Sequence, residues 1–81
     1  MIGRVVCSTA GRNKGCFMVI TKTDEKRFLV ADGKRYKLSS PKSKNPKHLK
    51  LTEKTLKNEE YLTDKQLRRT LAIFAATQSK E

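Results

Sequence analysis

The first 38 residues alternate short β-type runs with turn signals, and this pattern restricts the fold more than any other feature. The runs cover residues 4–8, 16–23, 27–31 and 35–38. In the second run, the residues alternate between two faces, with Met18 and Ile20 on one face and Val19 on the other. Alternation with a period of two is typical of strands of this length. We therefore predict four strands here and a fifth over residues 48–52.

The segments between these runs carry residues that turn the chain. Asp32-Gly33 separates the third and fourth runs, and a two-residue Asp-Gly link is typical of a tight hairpin. Residues 23–26 are polar turn formers, whereas residues 8–15 form a longer loop whose Gly11 and Gly15 can adopt positive φ. Several short strands at this spacing favour a small barrel, which leaves few sheet edges exposed.

Composition changes after the fourth run. Residues 39–48 contain two prolines, three lysines and several small polar side chains, which predicts an extended, solvated, basic arm. We therefore divide the chain into a barrel that includes this arm, residues 1–52, and a C-terminal extension, residues 53–81. The fold class that we predict is mainly β, a small barrel with a basic arm and a C-terminal helix.

The C-terminal extension carries the pattern of a helix over about residues 64–78. Leu67 and Leu71 recur at helical spacing, so that one face of the helix can lie on the barrel. Thr63 and Gln66 match the capping-box pattern that begins many helices. We expect the helix to start directly after Thr63.

The chain carries a large excess of positive charge, because Lys and Arg total 19 against 8 Asp and Glu, a formal net charge of +11. Such an excess repels itself in a compact fold and usually reflects a polyanionic partner. The densest stretch, residues 34–57, holds nine basic residues and one acidic residue, Glu53. The basic residues are Lys34, Arg35, Lys37, Lys42, Lys44, Lys47, Lys50, Lys54 and Lys57. A charge run is often only a solvated face, but a run this one-sided favours phosphate contact.

Catalysis, metal binding and bound cofactors are not expected. Cys7 and Cys16 are the only cysteines and His48 is the only histidine, which is too few ligands for a zinc site. The cysteines lie in apolar runs, so we expect reduced, buried hydrophobic side chains rather than nucleophiles. The chain opens without a signal-peptide pattern and its longest apolar run spans residues 16–20, which predicts a cytoplasmic protein without a membrane segment.

The most informative stretch is residues 3–20, a strand, a glycine-bearing basic loop and a second strand. Gly11 and Gly15 allow the loop backbone to approach a ligand closely, and successive N–H groups can face one phosphate oxygen. Arg12 and Lys14 add cations at the same place, and an arginine can bind a phosphate in bidentate fashion. The alternative is an ordinary basic hairpin loop.

This stretch resembles a KOW motif, the strand–loop–strand element of several ribosomal proteins and transcription elongation factors. Residues 31–38 and 41–49 strengthen the resemblance, to small bacterial KOW-domain RNA-binding proteins related to a large-subunit ribosomal protein of archaea and eukaryotes. The resemblance covers about residues 2–51, and residues 52–81 lie outside it. It implies an SH3-like barrel and RNA binding on the ribosome.

Position by position, the resemblance implies RNA contacts from the loop and the arm. These residues are Arg12, Asn13, Lys14, Lys42, Lys44, Lys47 and His48. The basic run adds Lys34, Arg35 and Lys50 to the predicted RNA-binding residues. For His48, a base or phosphate contact and a plain surface position both stay open. The few aromatic residues fit core positions, which favours recognition of folded RNA by shape and phosphate over stacking on single strands.

The function that we predict is therefore non-enzymatic binding of structured RNA, above all large-subunit ribosomal RNA, by a monomer that also meets neighbouring ribosomal proteins. One alternative is a transcription- or nucleoid-associated KOW protein that binds DNA or a polymerase. A second alternative is a small barrel that binds other proteins. A role at a membrane surface is disfavoured, because the C-terminal helix lacks a basic face with flanking aromatic residues.

Overall fold

Five antiparallel strands form one sheet, and a single helix follows them. The structure is a computed structural model that describes residues 1–78. The elements are β1 (Arg4–Ser8), β2 (Phe17–Thr23), β3 (Phe28–Ala31), β4 (Lys42–Lys44), β5 (Leu49–Thr55) and α1 (Asp64–Gln78). Short 3-10 turns lie at Gly11–Asn13, Pro46–His48 and Asn58–Glu60. The chain is therefore mainly β with a C-terminal helix, as the sequence predicts.

The strand order is β4-β3-β2-β1-β5, so the first four strands form a meander and β5 returns to the far side of β1. The Pro46–His48 turn makes the return possible by connecting the two edge strands, β4 and β5. The Thr9 amide donates to the His48 carbonyl at 2.8 Å, which anchors this turn beside the end of β1.

The sheet has a hydrophobic cluster on each face, because consecutive residues of a strand point to opposite sides. On one face, Val5 and Val19 pack with Leu67 and Leu71 of α1. The cluster on the other face consists of Val6, Met18, Ile20, Val30 and Leu49. Both faces of the central strands are thus covered, which explains why β2 reads as a nearly continuous apolar run.

The start of α1 is bonded to the segment that follows β3. The Asp64 carboxylate accepts a hydrogen bond from the Leu38 amide at 2.7 Å, and the Arg68 guanidinium donates to the Gly33 carbonyl at 2.8 Å. Of the predicted capping box, one half is present, since the Gln66 amide donates to the Thr63 hydroxyl at 3.1 Å. The Gln66 side chain accepts from the Leu62 amide rather than from Thr63.

The predicted strand over residues 35–38 is wrong, and so is the two-residue hairpin at Asp32-Gly33. The Asp32 and Gly33 amides both donate to the Tyr36 carbonyl, which closes a wider turn. The Asp32 carboxylate accepts from the amides of Lys34 and Tyr36, both at 2.9 Å. The physical reason is that an aspartate side chain offers nearby amides a local partner, which competes with strand pairing.

The predicted solvated arm over residues 39–48 is also wrong in part, because the fourth strand lies inside it. β4 pairs with β3, with Ser43 opposite Leu29. The Arg27 side chain strengthens the pairing by donating to the Ser43 hydroxyl at 2.7 Å. Three residues at a sheet edge, flanked by prolines, are compatible with a strand although the composition reads as loop.

Two further expectations concern the cysteines and the membrane. Cys7 is half-buried, but Cys16 is exposed, so its predicted burial is wrong; the residue lies in the loop just before β2 begins. Within residues 1–78, no helix combines the length and the apolar character needed to cross a bilayer.

Candidate nucleic-acid interface

The loop between β1 and β2 is a compact turn held by its own backbone. Gly11 and Gly15 have φ of +75° and +88°, so both use the positive φ that the sequence predicts. The Gly15 amide donates to the Ser8 carbonyl at 2.7 Å, which closes the loop on the end of β1. Arg12 and Lys14 are both exposed, and their side chains are free to meet a ligand.

Tyr36 connects this loop to two other basic segments. The Asn13 side-chain amide donates to the Tyr36 hydroxyl at 2.6 Å, across 23 positions of sequence. The Lys44 ammonium lies 5.9 Å from the centroid of the Tyr36 ring, within the range of a cation–π contact. The ring itself packs against the cluster that contains Met18. Sequence reasoning did not assign Tyr36 a functional role, although its position between Arg35 and Lys37 was a signal.

Segment 42–48 adds cations next to the loop. Lys42 and Lys44 pair with Val30 and Phe28 respectively, and directly paired residues point to the same face of a sheet. Both lysines therefore lie on the Met18 face, where their stems can cover apolar surface while the ammonium groups reach water. Lys47 and His48 are exposed in the following 3-10 turn, which Thr9 anchors beside the loop.

The turn after β3 supplies two more of the predicted residues. Lys34 and Arg35 are exposed, and Lys34 shares an open groove with Gly15, Cys16 and Arg68. We call the loop 9–16, the turn 33–36 and the segment 42–48 together the basic surface. Its predicted side chains are Arg12, Asn13, Lys14, Lys34, Arg35, Lys42, Lys44, Lys47 and His48.

Lys50 lies apart from Lys42 and Lys44, on the other face of the sheet. It pairs with Cys7, and its side chain lines a groove with Phe17 and Phe74, on the face of the sheet that carries α1. Lys42 and Lys44 lie on the opposite face. Arg68 of α1, by contrast, was not among the predicted residues, yet it borders the basic surface and is held by the Gly33 carbonyl.

Cations far outnumber carboxylates on the basic surface. Residues 33–52 contain no Asp or Glu, and the carboxylates of Asp32 and Asp64, at its border, accept hydrogen bonds from backbone amides. In the part of the chain that the structure describes, no lysine or arginine lies within 4.0 Å of a carboxylate oxygen. Cations that lack internal partners and stay in water are available for phosphate contacts.

Among residues 1–78, no group of three or more His, Cys, Asp or Glu side chains is placed to hold a metal ion. His48 makes its hydrogen bonds through its backbone, and the structure gives its imidazole no partner among these residues.

In comparisons with known proteins, the chain matches no family model, and no curated protein is significantly similar to it.

Proposed function

We propose that the protein binds folded RNA, specifically ribosomal RNA of the large subunit, through phosphate contacts from the basic surface. The observation that carries the proposal is the connection at Tyr36, which brings three basic segments free of nearby ion pairs onto one surface. In this proposal the protein is a non-enzymatic, cytoplasmic monomer, and neighbouring ribosomal proteins are its secondary partners.

The proposed fold identity is an SH3-like barrel of the KOW class. Its support is the strand–loop–strand element at residues 3–20, in which Gly11 and Gly15 take positive φ and Arg12 and Lys14 are exposed. Five short antiparallel strands in one sheet are compatible with it. The resemblance to KOW-domain ribosomal proteins is what directs the proposal to the ribosome.

The placement of the aromatic side chains favours folded RNA over single strands. Phe17 and Phe74 pack against each other edge to face, with ring centroids 5.1 Å apart. Phe28 and Tyr36 pack against the cluster that contains Met18, and Tyr61 against the cluster that contains Val5. Single-strand binding usually needs several exposed rings on which bases stack. Shape and phosphate contacts remain as the means of recognition.

The proposal is tested by sedimenting lysate of cells that express the tagged protein on sucrose gradients at low and high salt. We expect the protein to travel with large ribosomal subunits at low salt and to dissociate progressively as salt rises. An Arg12→Ala/Lys14→Ala variant should dissociate at lower salt than the parent.

A matched control removes two cations elsewhere. Lys54 and Lys57 are exposed near the far end of β5, and Lys54 lies about 16 Å along that strand from Leu49, which pairs with Ser8 beside the loop. A Lys54→Ala/Lys57→Ala variant should therefore sediment as the parent does. If the parent stays at the top of the gradient at low salt and is recovered with DNA or RNA polymerase, the ribosomal assignment fails. If association survives both high salt and nuclease, the protein is a protein-binding module.

A further inference from the structure

We infer that Tyr36 is a positioning residue for the basic surface, and that Asn13 acts through Tyr36 rather than by contacting RNA. Tyr36 holds the loop that presents Arg12 and Lys14, and its ring supports Lys44. The inference rests on the proposed RNA binding, because it assigns roles within that same surface.

The first step is the rigidity of Tyr36. Its side chain is half-buried, and the ring packs against the cluster formed by Val6, Met18, Ile20, Val30 and Leu49. Its backbone is held by the turn, since the Tyr36 amide donates to Asp32 and the Tyr36 carbonyl accepts from Asp32 and Gly33. The hydroxyl is therefore a fixed point at the edge of the core.

The second step is what this fixed point holds. Within residues 11–15, the other hydrogen bonds that the structure shows are local, from Lys14 to Gly11, from Gly15 to Ser8 and from Cys16 to Asn13. The bond from Asn13 to Tyr36 reaches across 23 positions and orients the tip of the loop against the turn. A loop held in its bound orientation loses less conformational entropy when a ligand binds.

The third step is the ring. The Lys44 ammonium lies 5.9 Å from the ring centroid, so the ring face attracts the cation that β4 contributes. Lys44 is half-buried, so part of its side chain is covered by the protein while the ammonium lies over the ring. One side chain thus orients cations from two segments that are distant in sequence, by its hydroxyl and by its ring.

The test measures binding of a fluorescently labelled, folded RNA hairpin by anisotropy across a salt series. Tyr36→Phe removes the hydroxyl and keeps the ring, and we expect affinity to fall about 3- to 10-fold. Because the loop cations then engage less completely, the slope of log affinity against log salt should become shallower by about 1. A thermal melt of each variant confirms that the protein is folded at the assay temperature.

Two mutant cycles separate positioning from a general structural role. Asn13→Ala should weaken binding as much as Tyr36→Phe does, and the double variant should be no weaker than either single variant. In an Arg12→Ala/Lys14→Ala background, Tyr36→Phe should have little further effect, because the groups that it positions are gone. Tyr36→Leu, which also removes the ring, should weaken binding more than Tyr36→Phe, and Lys44→Ala should abolish that extra loss.

Each alternative outcome overturns a definite statement. Additive losses for Asn13→Ala and Tyr36→Phe would mean that Asn13 contacts RNA directly. A second outcome is that Tyr36→Phe binds with the affinity and the salt slope of the parent, while the parent's own affinity falls steeply with salt. This outcome would refute the positioning role and leave the proposed function standing. If the parent itself fails to bind the hairpin, or binds with a slope shallower than about −2, the proposed function fails first.

Discussion

Among the four glycines, Gly33 is the one at which an added Cβ atom would meet the closest neighbour. It is buried, with φ of +77°, and the start of α1 lies directly against it. A Cβ atom at this position would overlap the Asp64 carbonyl oxygen and lie 3.2 Å from the Arg68 Cγ. The substitution Gly33→Ala therefore combines backbone strain with a steric clash against the helix.

The magnitude follows from the two contributions. A residue with a Cβ in the left-handed region costs about 1–2 kcal/mol. Forcing extra volume into a packed site costs typically about 1–3 kcal/mol. The free energy of unfolding should therefore fall by about 2–5 kcal/mol, out of roughly 4–12 kcal/mol for a chain of this length. Gly11→Ala provides the matched control, because its φ is +75° and no heavy atom lies within 4 Å of the added Cβ.

The assay is urea unfolding followed by circular dichroism on the parent and both variants. Gly11→Ala should lose only the strain contribution, about 1–2 kcal/mol, whereas Gly33→Ala should lose about 1–3 kcal/mol more. The difference between the two variants is the cost of displacing the start of α1. Equal losses would refute the reasoning, since they would show that the helix start moves away from Gly33 without cost.

Three further predictions concern binding and the core. If five or six cations of the basic surface touch phosphates, log affinity for folded RNA should fall with log salt at a slope of about −4 to −5, and a slope shallower than about −2 would exclude this surface. Replacing Arg12 and Lys14 with Ala should weaken RNA binding by about 1–3 kcal/mol in an anisotropy titration with the melting temperature unchanged, and parental affinity would place the site elsewhere. Leu67 is fully buried between α1 and the sheet, so Leu67→Ala opens a cavity and should lower the free energy of unfolding, measured by urea unfolding, by about 2–5 kcal/mol. A loss below about 1 kcal/mol would mean that α1 is not part of the cooperative core.

The elements that were predictable are those with local causes. The first three strands follow from alternation within each run, and α1 follows from the spacing of Leu67 and Leu71 after Thr63. The positive φ of Gly11 and Gly15 was also predictable, because a tight loop between two strands requires residues that tolerate it. In each case the determining interactions lie within a few residues of each other.

The composition of the basic surface was predictable only in part. Lysine and arginine side chains are expected to be exposed, and those of the loop 9–16, the turn 33–36 and the Pro46–His48 turn are exposed in the structure. Residue type does not predict that Lys50 lies on the opposite face from Lys42 and Lys44. That separation depends on the strand register, which places Lys50 opposite Cys7 and Lys42 opposite Val30. The role that we propose for Tyr36 rests on a contact with Asn13 that no local pattern indicates.

The sequence by itself determined that the chain is mainly β, that a helix follows the strands, and that its positive charge is concentrated in residues 34–57. Local propensity, side-chain alternation and net charge need no knowledge of the fold. Only the tertiary structure decided that residues 33–36 turn instead of pairing, and that Lys42–Lys44 becomes the fourth strand. The physical reason is that the start of α1 engages the backbone of residues 33–38, through Asp64 and Arg68, and these contacts exist only after distant segments have packed together. The local bonds from Asp32 to the amides of Lys34 and Tyr36 then complete the turn.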